Sequence, residues 1–361
     1  MSQDQTKRRS EQAGILRFFR EMGSALIMAL IAIVYVIQAF KIPTGSMENS
    51  LLVGDFLLGL KFVYGAPIIP FSQELGITQR LPALTDPKLG DVVIFKYPGT
   101  DSKDYIKRLV AGPGDVVEVH QTKLLVNGKE LKKPPKGKYV SSGQLMNESI
   151  TDFDPLHIPA KGDVIKTDSL PVREFLFLKH LIHQENPRKK ITVAFDLYVD
   201  GKLSNDVPFN YFQMRMTLND MQSGKLTGTN RMTGKQEKFS FDRIDDWTML
   251  DAYLDIIRKG FPDRQVEIRK KLFMDGKQVE SYTVKFDNYF MVGDNRDNSA
   301  DSRYWGYLNR NFVKAKAFIL YFSLDEHTPY WQLPLKIRWE RIGKLIRSWD
   351  GVSEMNKGIK Y

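Results

Sequence analysis

The chain contains no cysteine. That absence removes disulfides, thiolate metal sites and any cysteine nucleophile together. Histidine is nearly as scarce, with five among 361 residues: His120, His157, His180, His183 and His327. None of them sits in a compact turn with a partner carboxylate, so a Ser-His-Asp triad has little support. His180 and His183 have a spacing that some metal sites use, but no third ligand can be named, and neither a metal nor a cofactor is expected. No long Lys/Arg block or nucleic-acid motif accompanies the net charge of +10, so nucleic acid is not an expected partner. Basic residues recur in two terminal stretches, Lys7, Arg8, Arg9, Arg17 and Arg20 at one end and Lys336, Arg338, Arg341, Lys344 and Arg347 at the other. Anionic lipid headgroups or plain solvent are both natural neighbours for such charges.

One long uncharged run is present, SALIMALIAIVYVIQAF at 24–40. It lies at the lower limit of a spanning helix, which needs roughly 17 to 25 apolar residues. A cleavable leader is the alternative, but its apolar centre would be shorter and no clean A-x-A site follows. An uncleaved anchor over 24–40 is therefore expected. The arginines before it put a basic tail, 1–23, in the cytoplasm and everything after Phe40 outside.

Beyond the anchor, DFLLGLKFVYG, GDVVIFKYP and DYIKRLVAGPGDVVEV are β-branched and aromatic runs punctuated by glycine and proline, the signature of strands. LLVNGKEL at 124, LYVDGKLS at 197 and LFMDGKQV at 272 each put Asn-Gly or Asp-Gly between apolar residues, which predicts three independent hairpins. PPKGK at 134–138 opens a polar middle region reaching about 285. Within it, Trp247, Leu250, Leu254 and Ile257 recur at helical spacing, and Gly260 ends a helix predicted over 245–261.

Three stretches carry polar chemistry: PTGSM at 43–47, DYIKR at 104–108 and GDNRDNSADSRYWG at 293–306. A serine hydroxyl is a poor nucleophile until a neighbouring base takes its proton. A lysine can do so only when neutral. Working near pH 8 would need about 3 kcal/mol of desolvation or nearby positive charge, because its ordinary pKa is about 10.4. Strand alternation puts Tyr105, Lys107 and Leu109 on one face, where an inward amine would lose water. Taken alone, Lys107 reads rather as a strand lysine whose amine reaches solvent. The dense Gly, Asp, Asn and Ser of the third stretch predict an ordered, hydrogen-bonded turn, or else a charged surface loop.

In that order behind an apolar segment, PTGSM, DYIKRLVAGPGD and GDNRDNSADSRYWG closely resemble the bacterial type I signal peptidase (leader peptidase) family of Ser/Lys-dyad peptidases. LGDVVIFKYP at 89–98 and KIRWERIGKL near the end look like further family boxes. The resemblance implies a mainly β fold, a large mostly antiparallel β-sheet catalytic domain with one N-terminal transmembrane helix and an α+β insertion. On that division the catalytic core is 41–135 and 286–325, the insertion of unknown role 136–285, and a basic C-terminal tail 326–361.

Carried over by position, Ser46 matches the nucleophile and Lys107 its general base. Thr44 and the Ser46 N–H match the oxyanion hole, and Ser299 the lysine-orienting hydroxyl. Gly293, Asp294, Asp301 and Arg303 match structural support, and Ile42, Leu51, Tyr105 and Ile106 the walls of shallow substrate pockets. Two departures stand out: Thr44 where the family usually has serine, and Met47-Glu48-Asn49-Ser50-Leu51 where it usually reads Met-x-Pro-Thr-Leu. The first keeps the hydroxyl. The second loses a proline that stiffens the turn.

The resemblance further implies a single-pass enzyme of the bacterial inner (plasma) membrane, its catalytic domain on the outer (periplasmic) side. It would remove signal peptides from exported preproteins, with the lipid bilayer and the protein translocation machinery as further partners. The six residues from Phe40 to Ser46 would keep the serine within about 20 Å of the span. A non-catalytic membrane-anchored homologue that binds precursors or assembly partners is the alternative, as is a peptidase dedicated to one substrate.

Overall fold

The computed structural model describes residues 2–48, 50–69, 78–99, 103–120, 123–131, 153–211, 214–229, 236–239 and 247–348. The PPKGK stretch lies outside them. The chain begins with helix α1 (Ser2–Ile31), whose last turns pass into one π-helical turn, Ala32–Val36. Strands β1 (Ile37–Lys41), β2 (Asp55–Leu60), β3 (Val92–Lys96) and β4 (Asp104–Ala111) follow. Then β5 (Val116–His120), β6 (Lys123–Val126), β7 (Lys129–Glu130) and β8 (Phe153–His157) make a smaller antiparallel sheet. In the middle of the chain, helix α2 (Val172–Glu185) precedes β9 (Ile191–Val199), and helix α3 (Trp247–Gly260) precedes β10 (Val266–Met274). Finally β11 (Asn288–Val292), β12 (Leu308–Asn309) and β13 (Val313–Ser323) return to the first sheet.

That first sheet has the order β1-β2-β13-β3-β4-β11-β12, with every neighbouring pair antiparallel. The fold is therefore mainly antiparallel β. Burial follows position in the sheet. Near one edge, β2 alternates buried and half-buried residues, whereas central β3 buries Val92, Val93, Ile94 and Phe95 on both faces. The three predicted hairpin turns all form. Asn127, Asp200 and Asp275 have φ of 51°, 50° and 51°, and each is followed by a glycine also at positive φ. Two successive left-handed residues are what a tight hairpin with the native strand twist requires. The helix expected over 245–261 runs Trp247–Gly260 and buries Trp247, Leu250, Leu254 and Ile257.

The anchor divides differently from the 24–40 expected. The helical part long and apolar enough to cross a membrane is Arg17–Val36, while Ile37–Lys41 is an edge strand. Its five residues pair with β2 from Ile37↔Leu60 to Lys41↔Phe56. Apolarity alone does not separate a span from a sheet edge; the backbone pairing does. The ten residues from Val36 to Ser46 reach at most about 35 Å, and half of them are fixed in the sheet.

The terminal basic stretch also differs from an exposed tail. Asp55 is wholly buried, and a buried carboxylate requires a cation. Arg341 supplies it, donating through Nε to Oδ1 at 2.9 Å and Nη2 to Oδ2 at 2.5 Å. Gly343 and Ile346 donate to the Leu320 and Phe318 carbonyls, so this segment lines β13.

One buried apolar cluster runs through both the middle region and the main sheet, joining Phe177, Leu181, Leu254 and Phe195 with Ala111, Phe290, Val292 and Tyr307. Helix α2 also grips the segment after Arg303. Gln184 donates to the Tyr307 carbonyl at 2.9 Å and accepts from the Asn309 N–H at 3.0 Å. The Trp247 indole donates to the Arg303 carbonyl at 3.2 Å, and His180 Nδ1 lies 3.2 Å from that of Trp305. Gly306 has φ +85°, and a Cβ there would meet the Phe177 ring at 2.5 Å. Gly306→Ala should therefore destabilise the protein by about 2–4 kcal/mol. A fall in the denaturation midpoint checks this; an unchanged midpoint would mean that α2 does not press on this segment.

Candidate active site

Local chemistry sets the Ser46 turn. Pro43 restricts the chain leaving β1, Thr44 is extended (φ −134°, ψ 155°), and Gly45–Met47 then form one 3₁₀ turn. Glu48 N–H closes that turn on the Gly45 carbonyl at 2.9 Å. Met47 anchors it from below, 1% exposed in a cluster with Ile42, Leu51, Leu57 and Ile94.

Lys107 stands in the middle of β4, which pairs with β3 over Asp104–Arg108 on one side and with β11 only from Arg108 to Ala111 on the other. It is 4% exposed. Its Nζ lies 2.7 Å from Ser46 Oγ and 3.0 Å from the Ile106 carbonyl, and 5.3 Å from the centre of the Tyr105 ring. Burial lowers its pKa from 10.5 to about 8, against the opposing charges of Asp301 and Asp294. An amine this close to a hydroxyl, and uncharged for much of the time near pH 8, can take up the hydroxyl proton. Thr44 Oγ1 lies 3.5 Å from Ser46 Oγ. His120 and His157 pair elsewhere, with Glu118 and Asp163.

The loop from Gly293 to Arg303 closes over this pair. Gly293 is there because nothing larger fits: a Cβ would come within 2.2 Å of Ser299 Oγ and 2.6 Å of the Ser46 carbonyl. Asp301, wholly buried, accepts from the Gly293 N–H at 3.0 Å and from Arg303 Nε and Nη2 at 2.9 and 3.0 Å. Against the upward push of burial, Arg303 and these hydrogen bonds hold its carboxyl below the ordinary range. Arg303 also donates to the Arg296 carbonyl at 2.6 Å, which ties the two ends of the loop together. Ser299 is buried against Gly293 with its Oγ in no hydrogen bond among the described residues, and the second hydrogen bond of Lys107 runs to the Ile106 carbonyl.

Asp294 forms a second buried pair, a bidentate one, with Arg108 at 2.8 and 2.7 Å. Arg108 was not among the expected site residues, although strand alternation turns it to the face opposite Lys107, where a buried acid needs a cation. Asn295 was missed as well. Its N–H donates to the Ser46 carbonyl at 3.1 Å and its side-chain amide to the Gly45 carbonyl at 3.0 Å. No local pattern in the sequence marks that contact.

The four expected pocket residues separate onto two faces of β4. Ile42 and Leu51 are buried with Ile106 packed against them, whereas Tyr105 packs on the other side with Phe95, Tyr97 and Trp305. Period-two alternation makes this unavoidable for adjacent residues.

The family model described as signal peptidase, peptidase S26, matches residues 15–184 and 187–322. Among curated relatives, the chain is 27% identical over 331 residues to a signal peptidase I of Buchnera aphidicola subsp. Baizongia pistaciae, covering 92% of this chain and 84% of that one. It is 27% identical over 301 residues to the signal peptidase I of Aquifex aeolicus, covering 80% and 77%. To that of Helicobacter pylori strain J99 it is 25% identical over 359 residues, covering 95% and 97%. A buried lysine beside a turn-borne serine, under a loop tied by two buried ion pairs, thus sits in a chain that belongs to the signal peptidase family, peptidase S26.

Proposed function

We propose that this serine endopeptidase removes signal peptides from preproteins with Ser46 as nucleophile and Lys107 as its general base. The observation that carries the reading is the 2.7 Å separation between a buried amine and a hydroxyl. With the amine neutral, Ser46 Oγ passes its proton to Nζ as it attacks the carbonyl carbon of the scissile bond. The Ser46 N–H and the Thr44 hydroxyl are the proposed donors to the oxyanion, contacts worth about 3 kcal/mol each. The protonated amine then gives its proton to the departing nitrogen, and the C–N bond breaks to leave an ester on Ser46. Water, losing a proton to the same lysine, attacks the ester carbon, and the amine returns that proton to Ser46 Oγ as the C–O bond breaks and the serine is freed.

On this reading the substrate lies extended between the chain before Ser46 and β4. Ile42, Leu51 and Ile106 make a shallow apolar surface on one face of β4 and Tyr105 a second on the other, so that substrate residues before the cut, turned to either face, are limited to small side chains. The bilayer is the second proposed partner. No residue of the stretch Arg17–Val36 is buried by protein, and Trp331, Leu335 and Trp339 are 83%, 76% and 64% exposed. Tryptophans in such positions suit a membrane interface. The basic N-terminal flank favours a catalytic domain on the outer side of the membrane.

Replacing Ser46 or Lys107 by alanine should lower kcat on a purified preprotein by about 10⁴-fold or more; a Lys107→Ala enzyme cutting at the wild-type rate would refute the scheme. The active form is the neutral amine. With a pKa of about 8 for Lys107, kcat/KM should climb about tenfold per unit as pH rises toward 8 and level off above it. A profile already flat between pH 6 and 8 would remove the lysine from this role. Ile106→Ala should admit larger side chains before the cut, changing kcat/KM between alanine and valine or leucine substrates by about tenfold. Unchanged preference in a set of variant preproteins would contradict the pocket.

A further inference from the structure

The turn that carries Ser46 lacks the proline its family pattern usually has, so another constraint must hold it. Ser50 supplies three contacts. Its N–H donates to the Met47 carbonyl at 3.1 Å, closing the segment back on the turn. Its hydroxyl donates to Asp294 Oδ2 at 2.5 Å, the same oxygen that accepts from Arg108 Nη2 at 2.7 Å. Its carbonyl accepts from Arg341 Nη2 at 3.2 Å, the nitrogen that also donates to Asp55. Asp55 in turn accepts from the Leu52 N–H at 2.7 Å and the Ser323 hydroxyl at 2.7 Å. Ser50 therefore joins two buried ion pairs. One stands directly behind Lys107 in the strand, and the other brings in the segment near the end of the chain.

We propose that Ser50 and Arg341 are positioning residues, a clamp that holds the Ser46 turn at the separation Lys107 needs. The inference rests on the dyad reading above and adds to it. The clamp touches neither substrate nor reacting atoms. It acts through the turn and through Asp294, whose charge bears on Lys107 and opposes the effect of burial. A hydroxyl donating to that carboxylate draws off part of its field. Without the hydroxyl, more negative charge faces the amine, which holds its proton to a higher pH. A residue that only stabilised the fold would lower the melting temperature and leave that titration where it was.

The test uses the full chain in detergent with a purified preprotein, comparing wild type, Ser50→Ala, Ser50→Thr and Arg341→Lys. Threonine keeps the hydroxyl. Lysine keeps a cation for Asp55 but has no fork to share with the Ser50 carbonyl. Ser50→Ala should lower kcat about tenfold with KM within about twofold, and move the acid limb of the kcat/KM profile to higher pH by about half a unit. Ser50→Thr should stay within about threefold of wild type, and Arg341→Lys should lower kcat with KM retained. A wild-type kcat and unmoved limb in Ser50→Ala overturns the clamp, as does a threonine variant as impaired as the alanine one. Should Ser50→Ala not fold, Arg341→Lys decides by kcat: a wild-type value overturns the clamp. The dyad reading fails separately, through an active Lys107→Ala enzyme or a wild-type profile without a limb near pH 8.

Discussion

The proposed chemistry requires an amine 2.7 Å from a hydroxyl to give up its proton readily, and the burial of Lys107 favours that. Lowering the Lys107 pKa from 10.5 to about 8 corresponds to about 3 kcal/mol of destabilised charge. The sign of the linkage follows. Above pH 10.5 the amine is neutral folded or unfolded and costs nothing. As pH falls toward 8 the unfolded chain takes up the proton first, and below about 8 the folded protein carries the full cost. That cost falls within a sheet of seven strands whose central members are buried on both faces. Two buried acids nearby, Asp294 and Asp301, would pull the proton back if left alone. Each is instead held by an arginine in a bidentate pair, Arg108 and Arg303, so they order the loop while much of their charge is met locally.

The same loop links the middle region to the chemistry. Helix α2 and Trp247 hold the backbone from Arg303 to Asn309 through side-chain hydrogen bonds, and Gly306 lets Phe177 approach. The apolar cluster is continuous across that contact. Helices α2 and α3 are thus part of the support for the Asp301–Arg303 pair as well as of a core of their own.

Local signals in the sequence translated well. Asn127-Gly128, Asp200-Gly201 and Asp275-Gly276 became tight turns because two left-handed residues in succession have few other uses. The side of β4 that carries Lys107 followed from alternation, and the serine turn from its own proline and glycine. Long-range pairings were not legible. Nothing near Arg108 announces Asp294, and nothing near Arg341 announces Asp55, since each partner lies far along the chain. The terminal basic residues read as charge facing lipid or solvent, yet Arg341 turns inward to the buried Asp55, and Arg338 pairs with the half-buried Asp325. Ile37–Phe40 looked like membrane span because edge strands and spans share apolar residues.

The most direct test is the protonation of the amine itself. With lysine labelled with ¹⁵N at Nζ, and Lys107 assigned by comparison with Lys107→Met, an NMR titration of the detergent-solubilised protein follows that one nitrogen. The account predicts a midpoint near pH 8 for Lys107. A midpoint near the ordinary lysine value of about 10.4 would contradict it.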